Sequence, residues 1–538
     1  MTSQTAHVDT YIRENLPPRE QWPELIFDLP ELQYPERMNC ASILLDDAVD
    51  EGHGERIAIY DEAGAWTYRA LQSHVNEIAN LLAHGMGVVP GNRVLLHGLN
   101  DMMLAASWLA VVKAGAIAVT TMPMLRAKEL SVIATKAKVD HALCDRRLLD
   151  ELQEAAAQTG LLQRIRCFGP DGVAVHSGLA NDRFTAVATF SEDPCMLAFT
   201  SGTSGVPKAT VHFHRDILAM SDTVARHLLR TGPTDVHTGS PPLAFTFGLG
   251  ALLVFPLRFR ASTVLLEQPT ADNLLRAVER TRATVLFTAP TMYRNLLTKL
   301  EAYDLSSLRQ CVSAGEALPQ STSDHWWRAT GLRIVEGIGS TEMTHIFIGA
   351  SGDAVRPGST GKTLPGYRAC VLDESHRPLP AGSIGRLAVK GPTGCRYLLD
   401  ERQSQYVIDG WNVTGDAYRF DEDGYFWFQG RVDDMIVSAG YNIAGPEVEA
   451  ALLEHAAVQE CAVVGKPDAE RGYIVKAFVV LREGHCPSSA LASTLQDFVK
   501  QRIAPYKYPR EIAFVGTLPK TPTGKVQRHK LRMLDRES

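Results

Sequence analysis

The stretch Phe199 to Ala209, FTSGTSGVPKA, gathers hydroxyls (Thr200, Ser201, Thr203, Ser204), two glycines and one lysine directly after the short apolar run Cys195 to Phe199. Such a loop is suited to holding phosphate. Gly202 and Gly205 let backbone N–H groups face an anion without a Cβ in the way, and Lys208 adds a point charge. The spacing GxxxxGK[ST] is absent and Pro207 precedes the lysine, so this is not a Walker A loop; no GxGxxG fingerprint occurs either. Taken alone, the loop reads equally as a surface linker.

Three further stretches carry matching chemistry. Gly339-Ser340-Thr341-Glu342 follows a predicted strand end and offers a hydroxyl for a phosphate oxygen and a carboxylate for a hard cation. Trp411 to Asp416, WNVTGD, places an acid where it could accept from both hydroxyls of a ribose. Gly430 to Ile443, GRVDDMIVSAGYNI, and Pro522-Thr523-Gly524-Lys525 complete the set. Each is weak singly, since TGD is a turn signal and a lysine is usually a solvated charge.

The elements that must position these groups follow a βα rhythm. Strand Arg56 to Tyr60 leads to a helix from Tyr68 to His84, whose Leu71, Val75, Ile78, Leu81 and Leu82 share one face. Strand Arg93 to His97, helix Asp101 to Ala114 and strand Ala116 to Thr121 follow. Beyond the phosphate loop come strands at Thr263 to Leu266, Val285 to Phe287, Gln310 to Ser313 and Arg333 to Glu336, with helices such as Ala271 to Thr281 and Thr291 to Leu300 between them. Alternation of this kind predicts parallel sheets covered on both faces, with ligands at the carboxyl ends of the strands. From about 351 to 430 short alternating strands with Gly and Pro predict a small β-barrel or β-subdomain. Residues from about 434 to 538 hold enough apolar positions for a small core of their own, and residues 1 to about 50 read as an irregular leader.

With 538 residues, 45% hydrophobic and 21% charged, the chain is a globular protein of several subdomains. A net charge of −7 without a basic stripe argues against nucleic acid as a partner. The nine cysteines are scattered without a CxxC pair and read as thiols in a reducing compartment. The polar start resembles no signal or transit peptide, and the run Met102 to Val112 is too short to span a bilayer, so cytosol without a membrane partner is expected. His212 and His214 form an HxH pair that on a strand would face one side, with no third metal ligand at recognisable spacing.

Taken in this order, the motifs resemble the adenylate-forming superfamily of acyl-CoA synthetases, peptide-synthetase adenylation domains and luciferases, over about residues 40 to 530. GIGSTEM, FTFGLG and the leader are most similar to bacterial benzoate and 2-aminobenzoate CoA ligases. The resemblance implies an α/β fold with a large domain, 1–432, of two doubly wound sheets plus a β-barrel subdomain, and a small mobile α+β domain, 433–538, turning about Asp433. It implies ATP, Mg²⁺ and CoA as reactants: a carboxylate and ATP give an acyl-adenylate and pyrophosphate, and CoA then displaces AMP.

By the same analogy Thr200, Ser201, Gly202, Thr203, Ser204, Gly205 and Lys208 orient the β- and γ-phosphates, Thr341 contacts the α-phosphate and Glu342 the Mg²⁺. Asp416 takes the ribose hydroxyls and Arg431 the ribose or α-phosphate, while Gly315, Glu316 and Ile338 border the adenine. Lys525 stabilises charge between carboxylate and α-phosphate, and Gly440 with Tyr441 lines a tunnel for the pantetheine arm. The acyl pocket is expected between Phe245, Thr246, Phe247, Gly248, Gly339, Met343 and His345, its phenylalanines suiting a flat ring. His345 either meets an ortho amino or hydroxyl group or is a structural histidine. Departures from the family pattern are Ile338 for an aromatic, Val437 for a lysine and Ala209 for a glycine. Arg471 and Lys476 are candidates for the CoA nucleotide on charge alone. Alternative readings are a stand-alone aryl-acid adenylating enzyme that loads a carrier protein, a fatty acyl-CoA synthetase, or a catalytically silent nucleotide binder; the oligomeric state, monomer or homodimer, is not read.

Overall fold

The computed structural model describes residues 4–62, 64–169, 182–200, 207–316, 318–438, 441–468, 472–503, 505–521 and 524–534. Two large sheets organise the first 363 residues. One runs in the order Arg164–Phe168, His141–Asp145, Arg93–His97, Ile117–Thr121, Pro194–Thr200, Lys208–Phe213. All its pairs are parallel except the last. Its central strands, such as RVLLH and IAVTT, are buried along their whole length, as expected for strands covered on both faces.

The other sheet has nine strands, parallel from Ile57–Tyr60 through Ser262–Val264, Val236–Gly239, Val285–Thr288 and Gln310–Ser313 to Ile334–Gly339, with antiparallel strands at each edge. Helix Met102–Lys113 is apolar almost all round and buried except at half-buried Met103, with the Asp101 carboxylate capping its first turn through the Leu104 N–H at 2.7 Å. One continuous core joins the sheets, Val94, Ala118 and Met196 of the first meeting Ile59, Phe287 and Val312 of the second through that helix.

The predicted elements are found with their ends shifted by a few residues. The helix from Tyr68 keeps α-helical bonding to Asn80 and then widens over Leu81–Gly85. The strand expected to reach Leu266 ends at Val264, and the strand expected to end at Glu336 runs on to Gly339. The HxH pair does not share a face: His212 lies in strand Lys208–Phe213, but His214 opens helix His214–Met220. The leader is packed rather than loose, with Leu25 bridged to Gly391 and Thr5 hydrogen-bonded to Asp193.

A five-stranded antiparallel sheet (Arg368–Leu372, Gly385–Lys390, Trp411–Phe420, Val407–Ile408, Phe426–Arg431) forms the β-subdomain. Between its strands, residues 396–398 return to the first sheet: the Val211 N–H donates to the Arg396 carbonyl and the Leu398 N–H to the Ala209 carbonyl, both at 2.8 Å. A last sheet lies within residues 436–514 and has its own core, from Ile436 and Val448 to Val499. No described helix is long and apolar enough to cross a membrane.

The return of residues 396–398 is clamped by an ion pair between Arg396 and Asp216, both fully buried. Asp216 also accepts the Phe213 N–H at 3.1 Å, and the guanidinium lies 4.1 Å from the Phe213 ring centroid. Removing one member of such a pair leaves the other charge buried alone, at a cost of about 3–5 kcal/mol. Arg396→Ala is therefore expected to lower the urea midpoint of the first unfolding transition by that amount of stability.

Candidate active site

The first cluster of site residues forms where the two large sheets and the 396–398 segment meet. Strands Pro194–Thr200 and Lys208–Phe213 are an antiparallel pair with Thr200 opposite Lys208, so the phosphate-loop candidate joins two strands of one hairpin rather than a strand and a helix. Ser201, Gly202, Thr203, Ser204 and Gly205 lie outside the described residues. At the hairpin's end the Lys208 ammonium donates to the Tyr397 hydroxyl at 3.2 Å and sits 4.9 Å from its ring centroid. That hydroxyl in turn donates to Glu342 Oε1 at 2.5 Å. Lysine, tyrosine and glutamate thus form one line, a charge-assisted chain in a poorly hydrated place.

Glu342 is brought there by a tight turn after strand Ile334–Gly339. The Met343 N–H donates to the Ser340 carbonyl and the Thr344 N–H to the Thr341 carbonyl, each at 3.2 Å. Thr344 is held at φ +67 although it is β-branched, and such a residue costs of order 1–3 kcal/mol there. The neighbouring Met343 carbonyl is fixed by the Thr393 hydroxyl at 2.8 Å. Gly339 permits the turn: a Cβ there would lie 2.5 Å from the His345 carbonyl oxygen. Tyr406, whose hydroxyl is 3.4 Å from Ser340 Oγ, packs edge-on to Tyr397.

Asp416 and Arg431 face each other across an antiparallel strand pair and are joined at 2.9 Å. The guanidinium lies flat over Gly415, where any Cβ would come within 2.2 Å of it. Burial pushes the Asp416 carboxyl above its ordinary range, and Arg431 and then Lys525 oppose that rise. The Glu316 carboxyl is likewise raised by burial and held down by Lys525, Arg294, Lys520 and Arg528. Lys525 is therefore within electrostatic reach of both acids. It is presented by a small turn in which its N–H donates to Thr521 Oγ1 at 3.0 Å and Gly524 takes φ +89. The loop with Gly315, at φ +91, is tied to the strand behind it by the Leu318 N–H to Glu336 Oε1 at 3.1 Å. Ile338 is half-buried against the main core.

The second cluster is apolar. Helix Thr246–Leu249 starts at half-buried Phe245, with Thr246 and Gly248 buried; a Cβ on Gly248 would lie 2.1 Å from the Pro242 carbonyl oxygen. Phe247 meets Phe287 edge-on at 6.0 Å. His345 is buried between Phe247 and Phe255, ring centroids 5.2 and 4.6 Å away, and its Nε2 donates to the Phe247 carbonyl at 3.2 Å. Burial lowers its pKa to about 3, so the ring stays neutral, and its Nδ1 has no partner. Met343 is fully buried beside it in the chain.

A family model described as AMP-binding enzyme matches residues 45–397, and one described as AMP-binding enzyme C-terminal domain matches residues 447–525. The chain belongs to the AMP-binding enzyme family. Benzoate–CoA ligase of Thauera aromatica is 34% identical to it over 94% of this chain and 97% of that ligase. The crystal structure of the anthranilate CoA ligase AuaEII in complex with anthranoyl-AMP superposes with a TM-score of 0.88 at 34% identity, covering 94% of this chain and 99% of that one. A benzoate CoA ligase structure from Burkholderia xenovorans LB400 gives 0.83 at 33% identity, covering 92% and 100%. The adenylate-forming resemblance and the α/β architecture expected from the motifs are thereby borne out.

Within this AMP-binding enzyme the described candidates gather in three places: Lys208 and Glu342 at the Tyr397 hydroxyl with Thr200 and Thr341 adjoining them in the fold, Asp416, Arg431 and Glu316 with Lys525 in electrostatic reach, and Phe245 to Gly248 with Gly339, Met343 and His345 around the apolar cluster. Only the backbone of Asp433 and Tyr441 is described, and Gly440 and Arg471 lie outside the described residues. Lys476 is buried and paired with Glu511 at 2.5 Å. Tyr397 and Tyr406 carried no signal in the sequence, because their role depends on the 396–398 segment returning to a strand nearly two hundred positions earlier. Tyr397→Phe breaks the lysine–tyrosine–glutamate line. Hydrogen bonds to charged groups contribute about 1.5–3 kcal/mol, so titration calorimetry should show ATP binding weakened about tenfold or more, with an unchanged circular dichroism spectrum.

Proposed function

We propose that the protein is an AMP-forming CoA ligase for small aromatic carboxylates, 2-aminobenzoate or benzoate foremost, working in the cytosol. The observation that carries this reading is the apolar cluster: a neutral imidazole set between two phenylalanines offers aromatic surface, which suits a flat ring and not a long alkyl chain. Because Nε2 carries the His345 proton, Nδ1 is a bare acceptor, matched to an ortho amino or hydroxyl donor on the ring. The names of the two ligases and of the anthranoyl-AMP complex support the same substrate class.

In this reading the Thr200–Lys208 hairpin orients the departing pyrophosphate, Thr341 meets the α-phosphate, and Asp416 with Arg431 holds the ribose beside the Gly315 and Ile338 walls of the adenine slot. Glu342 is the residue to hold Mg²⁺, which supplies neutralisation of phosphate charge; its buried carboxylate, fixed by the Tyr397 hydroxyl, is a hard oxygen ligand of the right kind. Lys525 places its ammonium between the acyl carboxylate and the α-phosphate. A preorganised donor at that point contributes on the order of 3 kcal/mol or more to the transition state. Residues 433–538 then turn about Asp433, withdrawing Lys525 and bringing the Gly440-Tyr441 loop to the pantetheine arm.

Two outcomes are expected. Lys525→Ala loses adenylate formation about a hundredfold or more, yet still turns supplied acyl-adenylate and CoA into thioester; equal loss in both half-reactions would count against the rotation. In a panel of benzoate, 2-aminobenzoate, 2-hydroxybenzoate, phenylacetate and octanoate, scored by CoA-dependent AMP release, the ring acids lead. Comparable turnover of octanoate would sink the aromatic pocket, and AMP release indifferent to CoA would favour a carrier-loading enzyme.

A further inference from the structure

His214 turns away from His212 and finds its neighbours among residues far away in the chain. The Cys40 sulfur lies 3.3 Å from His214 Nδ1, and the same nitrogen accepts the Cys40 backbone N–H at 3.2 Å. Cys195 completes the group: its sulfur, that of Cys40 and the imidazole ligand atom all lie within 4.8 Å of one another, and all three side chains are fully buried.

Two chemistries could use such a group, a thiophilic metal or a thiol redox pair. A metal-ligating histidine normally donates its second ring N–H to an acceptor, yet His214 Nε2 has no partner. No fourth His, Cys, Asp or Glu joins the cluster among the described residues. For a base the same arrangement is favourable, since an Nε2-protonated, neutral imidazole aims its acceptor nitrogen at a thiol.

We propose that Cys40 and Cys195 are a peroxide-oxidisable thiol pair, with His214 as the base that takes the Cys40 proton. Burial opposes ionisation of Cys40, but the hydrogen bond from Cys195, the charge that His214 carries once it has taken the proton, and the backbone N–H together lower the thiol from its ordinary value. Burial holds the Cys195 thiol well above its usual value. Cys40 is thus the nucleophile and Cys195 the resolving thiol.

The oxidant is hydrogen peroxide or another small hydroperoxide. The Cys40 thiolate attacks one peroxide oxygen, the O–O bond breaks, and the departing hydroxide leaves as water with the proton held on His214 Nδ1. The Cys195 sulfur then attacks the sulfenic sulfur of Cys40; the S–OH bond breaks, and this hydroxide leaves as a second water with the Cys195 proton. Two thiols are oxidised to one disulfide while the peroxide is reduced to two waters. Access is through the leader, where Thr5 Oγ1 and the Ala6 N–H reach Asp193 at 2.5 and 3.0 Å and buried His7 lies within electrostatic reach of His214. Segments near a chain terminus open locally at lower cost than the core beneath them.

The full-length protein is treated with a small excess of hydrogen peroxide, blocked with N-ethylmaleimide in denaturant, digested and read by mass spectrometry. A disulfide-linked Cys40–Cys195 peptide is expected before oxidation of exposed Cys486, and dithiothreitol should reverse it. His214→Asn should slow its formation about tenfold, as the thiolate fraction at neutral pH falls. Cys195→Ser should stop at a Cys40 sulfenic acid that dimedone traps, which keeps the test open if the histidine variant does not fold. Cys40 and Cys195 remaining reduced after Cys486 has reacted would overturn the proposal. So would stoichiometric zinc in the purified protein, which would assign the cluster to a metal instead.

Discussion

The candidate site depends on a buried ion pair that touches no part of it. Arg396 and Asp216 neutralise each other beneath the first sheet and thereby hold residues 396–398 against strand Lys208–Phe213. Side chains alternate along an extended segment, so with Arg396 pointing into the core the next residue, Tyr397, points the other way. Its hydroxyl is then the one group between Lys208 and Glu342. A lysine from one sheet, a glutamate from the edge of the other and a tyrosine from the β-subdomain become neighbours only because that charge pair is closed.

Electrostatics also places the C-terminal residues. Glu316 and Asp416 are acids whose burial disfavours their charge, and the cations that oppose this include Lys520, Lys525 and Arg528 from the last stretch of chain. Their attraction draws the turn bearing Lys525 over the carboxylates, and a short turn with Gly524 at positive φ carries the ammonium outward from a hydrogen-bonded base.

Local pattern made much of this readable from residues alone. The βα alternation acts within a few positions and led to the two large sheets, whereas Thr414-Gly415-Asp416, a turn signal by composition, lies inside strand Trp411–Phe420. What was hidden is non-local. Nothing about RYLL announces that its tyrosine bridges residues 208 and 342, and the HxH pair suggested a shared face that the helix start at His214 removes. Strand ends slipped for a similar reason: the Leu265 N–H still donates to the Tyr60 carbonyl at 2.8 Å, and Leu266, though buried, lies beyond the last ladder pair at Val264.

Gly250 stands directly behind His345. A Cβ at that position would come within 2.6 Å of the imidazole Cδ2 and 3.1 Å of its Nε2. The imidazole is therefore seated in a notch left by an absent side chain on the neighbouring helix. Even one methyl group there would force the ring to shift, so the orientation of this imidazole between its two phenylalanines is set by a residue that carries no side chain at all.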